Sequence, residues 1–142
     1  MTELLPENMT AGLNDFLGFQ LVEWRAGHAT LEVDLDERHK NRQGGLHGGV
    51  TATLIDAVTE YCNVYEPDPS KWCGNVTASL NINFVGHPKG QKLRAAAKLD
   101  RAGRRLYFTL AQVTDDCETL VATAEAVYAY VERQPQVPTA SS

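Results

Sequence analysis

The run HGGVTATLIDAVTEYCNVY, from His47 to Tyr65, contains no proline, is apolar on most of its faces, and meets its stops just beyond its end, at Pro67 and Pro69. At helical rise it spans about 28 Å. A helix apolar on several sides has to be surrounded, so the rest of the chain must wrap it. The flanking segments supply extended chain in short pieces. Phe19 to Arg25 and His28 to Asp34 alternate with period two around Ala26-Gly27, which predicts a β-hairpin. After the helix, Asn75 to Val85, Lys92 to Leu99, Arg105 to Thr114 and Leu120 to Val131 read as four more strands in meander order, broken by HPKG, DRAG and DDCE. A weak helical pattern from Glu7 to Leu17 ends at Gly18 and predicts a short packing helix. With no βαβ alternation, the expectation is an α+β fold: an antiparallel sheet of about five to six strands wrapped around one long central helix. Such a sheet covers only part of the helix, and a second copy of the chain is the economical cover for the remainder, so a homodimer is expected.

With 142 residues, 43% hydrophobic and 22% charged, the chain is expected to form one domain over 1–142, its core at about 12–131 and its ends, 1–8 and 132–142, flexible. The net charge of −5 offers no basic footprint for nucleic acid, and no apolar run approaches membrane-spanning length, so neither nucleic acid nor membrane is an expected partner. MTELLPENMT lacks the basic start of a secretory signal, and three cysteines without a C-x-x-C pair fit a reducing compartment; the expected location is cytoplasmic.

The start of the helix carries the first chemical signal. Gly48 and Gly49 leave backbone N–H groups unshielded at the positive end of the helix, where an oxyanion or polarised carbonyl fits; a tight entry turn would use the same glycines. Asp56 lies mid-helix between Ile55 and Ala57, and a carboxylate there must be hydrogen-bonded, paired, protonated or solvated. From Gly48 to Asp56 is about 12 Å along the axis, whereas reacting groups must converge to about 3–3.5 Å. One chain cannot bring them together. Two antiparallel copies would set the Gly48 end of one beside Asp56 of the other. Glu60, one turn further, is expected to bridge to a Lys or Arg on a neighbouring element.

The pattern N-x-x-G-x-x-H-G-G followed by Asp, here Asn41, Gly44, His47, Gly48, Gly49 and Asp56, resembles that of the hot-dog-fold acyl-CoA thioesterases of the PaaI-like family, and LHGGVTATLID is similar to the thioesterase-superfamily-member proteins of animals. The likeness covers about residues 12–131. It implies hydrolysis of an acyl-CoA thioester to free acid and coenzyme A, with Asp56 as nucleophile or general base. It also implies an oxyanion hole from the N–H of Gly48 or Gly49 of the partner copy. Asn41 would sit beside the reacting carbonyl or water, His47 would orient the loop near the thioester, and Thr77 would hold the attacking water. No metal and no cofactor are implied, coenzyme A being part of the substrate, and the homodimer is expected to pair into a homotetramer.

Read from the residues alone, His47 fits a hydrogen-bonded helix start and Asn41 a loop residue making local bonds. Lys89, Lys92, Arg101, Arg104 and Arg105 gather around two turns, and Arg104 or Arg105 is the candidate for the nucleotide phosphate. Tyr61, with Tyr65 and Trp72, either lines an acyl channel or belongs to the core.

Other chemistries find less support. A serine esterase needs a G-x-S-x-G elbow, and Ser70, Ser79, Ser141 and Ser142 are not in that setting. His28, His39, His47 and His87 include no i, i+3 or i+4 pair for a metal, and Cys62, in a buried helix, is inert. Two alternatives stay open: a hydratase or dehydratase of the same fold, pairing Asp56 with a histidine, and a non-catalytic acyl-CoA-binding module.

Overall fold

The computed structural model describes residues 10–71 and 73–131. The expectations for 1–8, Trp72 and 132–142 lie outside the described residues. The helical pattern at the start becomes one turn, α1 (Leu13–Phe16), closed by Gly18 at φ 79. The hairpin follows as β1 (Gln20–Arg25) and β2 (His28–Asp34), and the central helix α2 is Gly48–Tyr61. Then come β3 (Gly74–Phe84), β4 (Lys92–Ala102), β5 (Leu106–Asp115) and β6 (Leu120–Val131). All pair antiparallel in one six-stranded sheet.

The strand order is β1-β2-β4-β5-β6-β3. β4, β5 and β6 form the expected meander, but β3 pairs with β6 instead of β4, which corrects the reading of four strands in sequence. The cause is α2, whose 14 residues carry the chain across the concave face and deliver it to the far edge. The return to β4 is pinned by Asp115, whose carboxylate accepts N–H groups from Lys89 at 2.7 Å, Gly90 at 3.0 Å, Cys117 at 3.0 Å and Thr119 at 2.7 Å. Burial alone would raise the pKa of Asp115, yet these backbone donors hold it well below the usual carboxylate range.

The helix ends one turn short of Tyr65, with Cys62 as its C-cap. Asn63 donates its amide to the Tyr130 hydroxyl, and Glu66 precedes a proline, so the chain turns toward the sheet instead of winding on. Leu54, Ile55 and Val58 are fully buried against an inner sheet face built largely of small side chains, among them Ala29, Ala95, Ala97, Ala111, Ala122 and Ala124. Alanine there lets the helix approach closely, while Leu31, Val33, Leu93 and Val113 on the same face are fully buried beside it. The expectation of a helix covered on most sides needs one correction. A stripe of Gly49, Ala52, Thr53, Asp56 and Glu60, at helical spacing, stays open or half-open beside edge strand β3.

Candidate active site

Asp56 is half-buried on that open stripe, and two hydroxyls reach the same carboxylate oxygen. Thr77 on β3 donates to Oδ1 at 2.7 Å, and Tyr128 on β6 lies 2.9 Å from it. Thr77 is placed by a β-bulge: the β3–β6 register slips between Thr77 and Ser79, and Thr77 faces Tyr128. No ion pair among the described residues includes Asp56. The carboxylate is therefore held by neutral donors, with Oδ2 accepting no hydrogen bond from the described residues.

At the other end of the stripe, His47 caps α2. Its Nδ1 accepts the Gly49 N–H at 2.8 Å, which puts the ring proton on Nε2 and occupies the Gly49 amide. A Cβ on Gly49 would stand 2.8 Å from His47 Nδ1, so only glycine fits beneath the ring. The Gly48 N–H has no partner among the described residues, and the Phe84 ring lies 3.5 Å from where a Gly48 Cβ would sit. Of the two glycines, Gly48 is thus the one with an amide to offer. Asn41 has its Oδ1 occupied by the Gln43 and Gly45 N–H groups at 2.9 and 3.0 Å, and it shapes the loop leading to His47. Its Nδ2 is the atom left for a ligand.

Glu60 meets no Lys or Arg among the described residues, which corrects the expected bridge. Its backbone carbonyl accepts from Tyr107 Oη at 2.9 Å and Asn75 Nδ2 at 3.1 Å. Its carboxyl stands exposed at the surface of the single chain, but the protein atoms crowded behind it, and then the Asp56 charge one turn away, raise its pKa. Tyr61 joins the core: its ring sits edge-on to Trp24 at 5.7 Å, and burial first, then Glu60 and Asp15, push its phenol up to about 12. Trp24, Glu60, Tyr61, Val64 and Asn75 line a cavity of about 270 Å³ at this end of α2.

The basic residues do not form one cluster. Lys92 pairs with Glu32 and Asp34 at the start of β4, whereas Arg104 and Arg105 lie exposed in the β4–β5 turn at the opposite end of the strands. Spacing along the sequence is blind to this, because an antiparallel pair folds distant residues together and separates near ones by a strand length, about 30 Å for β5. Lys40 and His87 were not singled out by sequence, yet they line a cavity of about 520 Å³ beside the Asn41 loop. Among the described residues the one close grouping of ligating atoms is Asp115, Asp116 and Cys117, and four N–H groups already occupy Asp115.

Comparison with known proteins places this chain in a family. A protein of Pseudomonas aeruginosa named as an esterase is 33% identical over 99 residues, covering 69% of this chain and 72% of its own. Acyl-coenzyme A thioesterase 13 of Homo sapiens is 29% identical over 96 residues, covering 67% of this chain and 66% of its own. The fold recurs in the PaaI protein of the Escherichia coli phenylacetic acid degradation operon, with TM-score 0.74 and 18% identity over 83% of each chain. The family model described as the thioesterase superfamily matches residues 43–132, from the loop before α2 through the last strand. On that match the chain belongs to the thioesterase superfamily, and its sheet and helix form the hot-dog fold.

Proposed function

We propose that this protein is an acyl-CoA thioesterase working as a homodimer, with Asp56 of one copy and the Gly48 N–H of the other acting on one thioester. The observation that carries the reading is the state of the Asp56 carboxylate. Oδ1 is fixed by Thr77 at 2.7 Å, while Oδ2 is left to accept a proton or to attack. Acting on water, Asp56 takes one proton as the oxygen bonds to the carbonyl carbon. The tetrahedral oxyanion rests on the N–H groups at the positive end of α2, then the C–S bond breaks and the proton passes to the leaving thiolate. Acting directly, the carboxylate displaces the thiolate to form an anhydride, and water that opens it at the aspartyl carbon leaves 18O in Asp56 after a single turnover in 18O-water, a label the water route never produces.

Support for the dimer comes from the sheet. β3 is an edge strand of 11 residues, mostly exposed along its length, lying directly beside the open stripe of α2. Pairing two copies there would cover Val76 and Phe84, 55% and 59% exposed, and bring the two helices antiparallel. Phosphate contacts from Arg104 and Arg105, a dimer of dimers, catalysis without metal and a cytoplasmic location belong to the same reading.

The test is thiol release from a panel of aryl, short, medium and long acyl-CoAs, comparing wild type with Asp56→Ala and Asp56→Asn. The expected result is turnover lost by about 10³-fold or more with substrate still bound. No release from any acyl-CoA, with binding intact, overturns the hydrolase and leaves the hydratase or the binding module.

A further inference from the structure

Tyr128 stands at the centre of the buried polar groups behind Asp56, and no sequence pattern marks it. Its side chain is 1% exposed and its ring stacks on Tyr107 at a centroid distance of 5.1 Å, 13° from parallel. Its hydroxyl lies 2.9 Å from Asp56 Oδ1, 2.6 Å from the Asp56 main-chain oxygen and 2.6 Å from Thr59 Oγ1. One proton therefore has three places to go. Thr59 Oγ1 can donate to Ile55 O at 2.8 Å or to Tyr128, and when it donates to Tyr128 the phenol proton is released toward Asp56. Between the two oxygens of Asp56, an ionised carboxylate is a stronger acceptor than a peptide carbonyl, so the phenol proton follows the charge: to Oδ1 when Asp56 is ionised, to the main chain when it is protonated.

We infer that Tyr128 is a positioning residue for Asp56, holding Oδ1 jointly with Thr77 so that Oδ2 is the reacting oxygen. The inference rests on the reading of Asp56 as the catalytic carboxylate. The other groups facing the site do not do this work. Glu60 on α2 opposes the Asp56 charge, and Tyr107 on β5 and Asn75 on β3 spend their polar atoms on each other and on the Glu60 carbonyl. Burial pushes the Tyr128 phenol far above its ordinary value, so it remains a hydrogen-bond donor throughout the working range of pH.

Tyr128→Phe keeps the ring and its stack and removes only the hydroxyl. The expected result is kcat down about tenfold with KM within about twofold, the split that a misaligned carboxylate gives and weakened substrate binding does not. Tyr107→Phe deletes an equally buried hydroxyl from the stacked neighbour, and its kcat should stay within about twofold of wild type. The 13C chemical shift of the Asp56 carboxyl, assigned with Asp56→Asn, reads the same hydrogen bond without turnover and should move in the Tyr128→Phe protein but not in Tyr107→Phe. If Asp56→Asn hydrolyses as fast as wild type, the functional reading fails while this carboxyl signal still decides the role of Tyr128. If Tyr128→Phe does not fold, 3-fluorotyrosine at position 128, a stronger donor, should move that carboxyl signal while KM stays within about twofold of wild type. A kcat and a carboxyl signal unchanged from wild type, or equal changes in Tyr107→Phe, overturn the inference.

Discussion

Thr77 Oγ1 lies 2.7 Å from Asp56 Oδ1, a hydrogen bond that joins edge strand β3 to the open stripe of the central helix across 21 residues of sequence. This bond ties the site to an edge strand that is exposed along most of its length. Thr77→Val, which keeps the shape and deletes the donor, should lower kcat by roughly tenfold to a hundredfold, whereas Thr77→Ser should stay within about threefold of wild type. Steady-state thiol release decides it, and a valine variant as active as the serine one would remove Thr77 from the machinery.

The His47 cap leads to opposite expectations for adjacent glycines. Gly49→Ala drives a methyl into the His47 ring, breaks the cap and should cost about 1 kcal/mol, roughly 4 °C in Tm. Gly48→Ala meets only the Phe84 ring at ordinary contact distance and should leave Tm unchanged or raise it, since alanine is the better helix former. Thermal melts of the two proteins, side by side, test the ordering.

Glu60 links the site to pH. Its folded pKa is raised, by desolvation first and by Asp56 second, so folding favours its protonated form. Stability from this group is fully present below the unfolded value near 4.5 and is lost as pH rises through the folded value. Glu60→Gln removes that loss. The Tm of the variant minus that of wild type should therefore become more positive from about pH 4 to pH 7. A constant difference across that window would show that Glu60 titrates as it does in the unfolded chain.

The cysteines should divide by burial. Cys62 is fully buried in the core, and desolvation pushes its thiol up to about 12, while Cys73 and Cys117 are exposed. A thiol-specific reagent should consume two of the three thiols in the native protein and the third only on unfolding. Mass mapping that finds Cys62 labelled under native conditions would contradict the packing of α2.

Much of this arrangement was legible beforehand. The strand spans at Gln20–Arg25, His28–Asp34 and Leu120–Val131 lie within a residue of where period-two alternation put them, because one face of each strand is buried and a shift of one residue would expose it. The pattern from Asn41 to Asp56 named the residues of the helix start, since capping and turn chemistry act within a few residues of chain. The crossing of β3 to the far edge was not legible: alternation states which residues share a face and is silent about which strand lies alongside. For the same reason Tyr128 was invisible, as nothing in AVYAYV distinguishes the tyrosine that meets Asp56 from Tyr130, which meets Asn63.

The sequence by itself determined the elements, their inward faces, and a helix that begins with two glycines and carries a carboxylate two turns on; these follow from local sterics and from periodic burial. Only the tertiary structure decided that Thr77 and Tyr128 converge on one oxygen of Asp56, and that the basic residues part to opposite ends of the sheet. Those outcomes depend on strand order and register, which are set by the free energy of the whole packed chain and not by any segment of it.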